Sequence, residues 1–258
     1  PEQFRINDIC EELVKRGHSV SVLTGLPNYP EGKIFEGYKD KGDTVTEHNG
    51  VTIIRSNVRP RYSGALNLAL NYYDFWKKAQ KKILTLKNSF DVIYVYQLSP
   101  ITSVFPAVAF KKKHGVPIFT YCCDIWPDSV RDTAKGKPMS AKNPIYLVAK
   151  WLSKKAYNGS DIIGVKCNQF INYLDAVCRI PKDKCKLIYE HAESSYLAVS
   201  ETPCKNGCFD FMFLGNIGHA TNCDYIIKAF QKINSNKPYK LHFVGSGTEL
   251  ENLKKHII

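Results

Sequence analysis

Short β-prone apolar runs alternate with helical patterns along almost the whole chain, and this alternation restricts the fold more than any other feature. Phe4 to Arg16 places Ile6, Ile9, Cys10, Leu13 and Val14 at helical spacing, and Gly17 stops it. Ser19 to Thr24 then reads as a strand, with Val20 and Val22 alternating against polar neighbours. Thr44 to Arg55 holds Asn49-Gly50 between two β-prone runs, the pattern of a tight hairpin. Further strands are expected at Asp91–Tyr96, Pro117–Cys122, Asp161–Val165 and Lys186–Tyr189. The helices between them are expected at Leu66–Leu86, Pro100–His114, Asn143–Tyr157 and Asn168–Cys178. Asn143-Pro144 supplies an N-cap with proline at the first helical position, and the helix runs on through Val148, Trp151 and Leu152. Repeated strand–helix units at this spacing imply an α/β fold, with mainly parallel sheets covered by helices.

The rhythm breaks over residues 196–208, read as a linker after a first domain of residues 1–195. It restarts with strand Phe209–Leu214, helix Asn222–Ile233, strand Lys240–Val244 and a helix from Thr248. Two strand–helix units make a small core, so residues 209–258 read as the incomplete start of a second domain.

Composition narrows the setting. Nine cysteines, an odd number, argue for free thiols in a reducing cytoplasm over a disulfide framework. The uncharged stretch Val92 to Phe110 approaches the length of a membrane span, but Pro100, Pro106 and its hydroxyl residues split it into strand, turn and helix. A formal charge of +12 asks for an anionic partner: nucleic acid, a membrane surface or a charged substrate. The lysines are spread along the chain without a nucleic-acid motif, so no nucleic-acid partner is expected. The helix Leu66–Leu86, preceded by Arg59 and Arg61, can be read as a membrane-surface helix. A core helix with Lys77, Lys78 and Lys81 in solvent is the preferred reading.

Three loops carry the chemistry. Tyr121-Cys122-Cys123-Asp124-Ile125-Trp126-Pro127-Asp128-Ser129 leaves the end of a strand, where ligands bind in open α/β sheets. The plainer alternative is a helix cap with an anchoring Trp. Gly215-Asn216-Ile217-Gly218 and Gly245-Ser246-Gly247-Thr248 each follow a strand and precede a helix, a setting suited to diphosphate. Position 250 is Leu, so the third glycine of a dinucleotide fingerprint is missing. Cys204, Cys208, His219 and Cys223 have zinc-compatible spacing, but a hydrophobic strand and a glycine turn separate the two pairs, and free thiols are preferred. No Asp-x-Asp occurs, so the usual carboxylate pair for a metal–diphosphate complex is absent from the sequence.

Taken together, several stretches resemble glycosyltransferase family 4, in the branch of bacterial N-acetyl-L-fucosamine transferases. They are Pro1 to Arg5 with Lys15-Arg16-Gly17-His18, the loop Leu23 to Gly32, Asp124 to Ser129, Ala192-Glu193, Gly215 to Gly218, and Phe243 to Gly247. The resemblance implies a GT-B architecture of two Rossmann-like domains. It also implies retaining, metal-independent transfer from a nucleotide sugar, UDP-linked by expectation, to a lipid-linked saccharide in surface polysaccharide (O-antigen or capsule) assembly. On that basis Asp124 is the catalytic candidate, with Asn28, Tyr29, Trp126, Asp128 and Ser129 on the acceptor side. Glu193, Gly215, Asn216, Gly218, Thr221, Gly245 and Gly247 fall on the donor side. Location on the cytoplasmic face of the membrane, against an anionic surface, follows from the same resemblance. Two departures stand out: Cys123 occupies a position where many members carry His or Arg, and Asn216 and Thr221 replace the basic residues of the diphosphate loop. A first strand before Pro1 and a donor Glu-(seven residues)-Glu segment beyond Ile258 are expected in a longer enzyme, and this length alone is expected to be inactive. A sugar-nucleotide epimerase of the same architecture is the second enzyme reading. A basic membrane- or nucleic-acid-binding module is the non-enzymatic one.

Overall fold

The computed structural model describes residues 4–29, 31–39, 41–131, 139–192, 194–198 and 207–255. The chain divides into two compact units, Pro1–Ser129 with Ala141–Glu193, and Val130–Ser140 with Ser194–Ile258.

In the first unit, helix α1 (Phe4–Lys15) leads into β1 (Val20–Gly25), followed by the hairpin β2 (Thr44–His48) and β3 (Val51–Ser56). Asn49 and Gly50 both have positive φ, 49° and 78°, as the hairpin turn requires. β1 pairs parallel with β3, which pairs antiparallel with β2, in the order β1-β3-β2. A second sheet, wholly parallel, has the order β4-β5-β6-β7, from Ile93–Gln97, Ile118–Cys122, Ile162–Val165 and Cys185–Leu187. Its connections are α3 (Phe105–His114), α4 (Pro144–Gly159) and α5 (Asn168–Tyr173), the last continued by one π turn at Leu174–Cys178. Helix α2 (Ala65–Ile83) links the two sheets in sequence, and its apolar face is half-buried with Ala79 fully packed, so the core-helix reading holds.

Asn143 caps α4 as the sequence indicated, its side-chain oxygen accepting from the Ile145 amide at 2.8 Å. The buried face of α4 is nevertheless composed of Tyr146, Ala149, Ser153, Ala156 and Tyr157. Val148 and Trp151, the most apolar residues of the pattern, point outward. Three of the five are small and the other two are tyrosines whose hydroxyls make hydrogen bonds, so the buried face is not the most apolar one.

The second unit contains β8 (Phe209–Leu214) and β9 (Tyr239–Val244), paired parallel and in register, with α6 (Cys223–Phe230) and α7 (Leu250–Lys254). Its small core is Ile217, Cys223 and Leu253, flanked by Phe213, Ile227, Phe243 and Leu250. Cys223 is thus a core residue, while Cys204 lies outside the described residues. Eight cysteines are described and all are free. No helix among the described residues is long and apolar enough to cross a membrane.

Candidate functional site

Four loops leave the carboxyl ends of β1, β3, β4 and β5, and hydrogen bonds tie them in pairs. The Leu26 amide donates to the Ser56 carbonyl (3.1 Å), and the Tyr62 amide donates to the Gly32 carbonyl (2.8 Å), joining the first two. A Cβ on Gly32 would lie 2.8 Å from the Tyr62 carbonyl oxygen, so this contact requires glycine.

The β4 and β5 loops meet at Asp124. The Ser99 amide donates to Asp124 Oδ2 at 2.9 Å, and Trp126 Nε1 donates to Ser99 Oγ at 3.1 Å. Beneath them lies a buried polar network. Gln97 Nε2 donates to the carbonyls of Leu98 (2.8 Å) and Asp124 (3.2 Å), and Tyr157 Oη donates to Gln97 Oε1 (3.3 Å). The same Tyr157 oxygen accepts from the Trp126 amide at 3.4 Å and lies 3.5 Å from the Cys122 thiol. Burial pushes the Cys122 thiol up to about 12, and burial raises Tyr157 well above an ordinary phenol, so both stay protonated and neutral. The peptides Ser99–Pro100 and Trp126–Pro127 are both cis.

The expected acceptor-side residues divide into two groups. Trp126 is buried and Ser129 Oγ donates to the Ile125 carbonyl at 2.6 Å, so both help hold the loop. Asp128 accepts from Tyr146 Oη at 3.0 Å, and its charge, after burial itself, raises the Tyr173 phenol. Asp124 and Tyr29 are the members left facing outward, Asp124 half-buried and Tyr29 exposed. Asn28 Nδ2 donates to the Leu26 carbonyl (2.8 Å), while its Oδ1 is buried without a hydrogen-bond partner.

Arg61 is the member of this cluster that sequence reading missed. Its guanidinium lies 5.4 Å from the centre of the Tyr29 ring and 5.7 Å from that of Tyr72. The Tyr72 phenol is raised by burial, pulled down by Arg61 and pushed up by Asp124, which places a cation and a carboxylate around one ring. No carboxylate pairs with Arg61 among the described residues. The signal is present as Arg59-x-Arg61 before α2, which the sequence alone weighs only as part of a membrane-surface alternative.

On the adjacent strand ends, Tyr94, Tyr96 and Tyr121 form a stacked row, and Cys123 sits against it, buried. Burial raises the Cys123 thiol to about 11. Nearby Glu190 pairs with Lys166 (2.8 Å) and Arg5 (2.5 Å); burial pulls its carboxyl up, but the two cations prevail and hold it below the ordinary range. Glu193 lies outside the described residues.

In the second unit the two glycine loops pack on each other. A Cβ on Gly245 would stand 1.8 Å from the Gly215 carbonyl oxygen, and one on Gly247 2.2 Å from that of Ile217. The Gly215 amide donates to the Val244 carbonyl (3.0 Å), and the Ile217 amide to that of Ser246 (2.8 Å). The Gly218 amide donates to Thr221 Oγ1 at 3.1 Å, which in turn donates to the Asn216 and Gly218 carbonyls. Loop-on-loop packing therefore explains Gly245 and Gly247, and the Gly215 and Gly218 amides are already engaged.

A separate depression of about 470 Å³ is lined by Lys111, Asp161, Lys184 and their neighbours at the opposite, amino ends of β5 and β6. Lys111 and Asp161 pair there at 2.6 Å, and Asp161 Oδ2 accepts from the Ile118 amide at 2.7 Å, so its charges are already matched.

A family model described as Glycosyltransferase Family 4 matches residues 4–190, a span that includes all four loops of the Asp124 cluster. The chain belongs to that family. Within this family 4 chain, the cluster lies at the strand ends where open α/β sheets bind ligands. A comparison with curated proteins gives no match. Among solved structures the chain is similar to the apo form of the lipopolysaccharide outer core galactosyltransferase WaaB, at 15% identity and a TM-score of 0.44, covering 79% of this chain and 49% of that one. It is also similar to a UDP-N-acetylglucosamine 2-epimerase from Rickettsia bellii, at 13% identity and a TM-score of 0.40, covering 93% and 65%. The family 4 chain thus spans about half the length of the galactosyltransferase structure.

Proposed function

We propose that this chain is the acceptor-binding part of a retaining glycosyltransferase. The enzyme moves a sugar from a UDP-linked donor to a lipid-linked saccharide at an anionic membrane surface, without a metal ion. The observation that carries the reading is that Asp124 and Arg61, not paired with each other, both act on the Tyr72 phenol at the strand ends. A carboxylate fixed by the Ser99 amide keeps one oxygen to accept a hydrogen bond from a sugar hydroxyl and aim it. An unpaired guanidinium half-buried against Tyr29 and Tyr72 suits the diphosphate of a lipid carrier. Tyr29, exposed beside it, offers a ring face on which a sugar stacks.

In the transfer step the bond from the anomeric carbon to the donor diphosphate breaks, and a bond to the acceptor oxygen forms on the same face. The acceptor proton passes to the departing diphosphate. Asp124 orients the hydroxyl and stabilises positive charge developing on the sugar ring. On the donor side we assign diphosphate contact to the Asn216 loop and place the nucleotide near Gly245 and Gly247.

The test is titration calorimetry with a short-chain polyprenyl-diphosphate disaccharide. Arg61→Gln is expected to weaken binding at least about tenfold, since charge-assisted hydrogen bonds to phosphate are the strong class. Equal affinity in wild type and Arg61→Gln overturns the acceptor assignment. Transfer from UDP-sugars by the longer enzyme that survives a chelator supports the metal-free step.

A further inference from the structure

Helix α4 carries an uncovered apolar ridge. Leu147, Val148 and Trp151 are 50%, 57% and 55% exposed, on the side opposite Tyr146, Ala149, Ser153 and Ala156. Leu147 and Val148 precede Trp151 by four and three residues and Lys155 follows by four, so the four share one face. The Lys155 ammonium lies 3.9 Å from the centre of the Trp151 ring. Lys150 and Lys154 flank the ridge, both exposed, and the helix contains no acidic residue. None of these three lysines has a carboxylate partner among the described residues.

Helix α2 is the instructive contrast. It also exposes apolar side chains, Leu66 and Tyr73 among them, yet its Lys78 pairs with Asp74 (2.9 Å) and its Lys82 with Asp43 (3.4 Å). Only part of its positive charge is left for a partner. On α4 the apolar ridge and uncompensated cations coincide, with a Trp among them. A protein interface in the usual sense depletes lysine at its core. An apolar face rimmed by lysines and carrying Trp is the pattern of a helix lying in a lipid interface.

We propose that the outward face of α4 docks on an anionic phospholipid bilayer. Leu147, Val148 and Trp151 enter the headgroup–acyl boundary, and Lys150, Lys154 and Lys155 meet lipid phosphates. This deepens the membrane part of the function proposed above and rests on it only in that respect, since vesicle binding needs no sugar transfer.

The test is co-sedimentation of the full chain with vesicles of phosphatidylglycerol and phosphatidylethanolamine, against pure phosphatidylcholine, at low and high salt. Wild type is expected to bind the anionic vesicles and to release them in salt. Lys150→Gln/Lys154→Gln/Lys155→Gln is expected to bind on the order of 100-fold more weakly, about fivefold per lysine. Val148→Ser/Trp151→Ser is expected to lose about tenfold or more, together with Trp quenching by brominated lipid. Both variants should keep wild-type circular dichroism and wild-type affinity for the soluble short-chain acceptor. Three results overturn the proposal: no anionic-vesicle binding by wild type, binding that both variants retain, or a dimer that Trp151→Ser dissociates without any change in vesicle binding. Loss of soluble-acceptor binding in wild type would instead strike the transferase reading and leave this one standing.

Discussion

Removing one oxygen, by Tyr157→Phe, tests whether the buried network sets the Asp124 loop. The Tyr157 hydroxyl is fully buried and serves Gln97 Oε1 and the Trp126 amide at 3.3 and 3.4 Å. Both partners lose their bond in the variant, and a buried polar group left unpaired costs about 1–3 kcal/mol. Both contacts are long, so each belongs at the low end, and the sum is about 2 kcal/mol. For a unit of this size that corresponds to a fall in Tm of about 4–8 °C. Because Gln97 also holds the Asp124 carbonyl and Trp126 reaches Ser99, acceptor affinity should fall with it. Differential scanning calorimetry and acceptor titration on the same sample read both effects. A Tm change under 1 °C with unchanged acceptor affinity would refute the reasoning, because the hydroxyl would then be neither structural nor coupled to the loop.

Asp124→Asn keeps an oxygen for the Ser99 amide and should leave Tm within about 2 °C, while transfer by the longer enzyme, measured with radiolabelled donor, falls at least about 100-fold. Gly245→Ala forces a Cβ to within 1.8 Å of the Gly215 carbonyl and should cost more than about 3 kcal/mol in the second unit, read as lost hydrogen-exchange protection in β8 and β9. Gly207→Ala, with nothing within 4 Å of its Cβ, should cost about 1 kcal/mol from its φ of +60° alone. At Asp161, burial pulls the carboxyl up, but Lys111 and the Ile118 amide prevail and hold it below the ordinary value. Its stabilisation is therefore complete above about pH 4 and is lost as pH falls through the lower folded value, so Asp161→Asn should weaken the protein at pH 7 and flatten its acid denaturation curve.

The parts of the fold legible in the sequence were those governed by local chemistry. Asn49-Gly50 marks its hairpin because both residues tolerate positive φ, and Asn143-Pro144 marks a helix start because cap and ring act within one turn. The strand–helix alternation carried the parallel α/β class for the same reason. The buried face of α4 was not legible: Ala149, Ser153 and Ala156 are small, and periodicity of large apolar residues does not report them. Nor was the part that Trp126 and Ser129 play in fixing their own loop, through bonds to Ser99 and to the Ile125 carbonyl. The glycine loops were legible in part. Close backbone approach was correctly inferred, but the approaching partner at Gly245 and Gly247 is the neighbouring loop. Arg61 escaped because its meaning depends on Tyr29 and Tyr72, one distant in sequence and one about two turns into a helix.

The thiol at position 123 bears on where this site keeps its positive charge. His or Arg at that place, as in many members of the family, would put a cation or a proton carrier beside the β5 loop. Cys123 does neither: it is buried, and burial lifts it to about 11 even though Lys166 pulls the other way. At pH 8 only about one thiol in a thousand is ionised, against roughly a quarter for a free cysteine. Lys166 is occupied by Glu190, which leaves Arg61 as the half-buried cation available near Asp124. On the function proposed above, the loop before α2 supplies the cation that the β5 loop lacks. Iodoacetamide at pH 8 should leave Cys123 unmodified in the folded protein while labelling it in urea, as read by peptide mass mapping. Cys123→Ser should hold acceptor affinity within about twofold, whereas Arg61→Gln should not. Rapid alkylation of Cys123 in the native state, or acceptor binding lost with Cys123→Ser and kept with Arg61→Gln, would reverse the assignment and return the chemistry to the β5 loop.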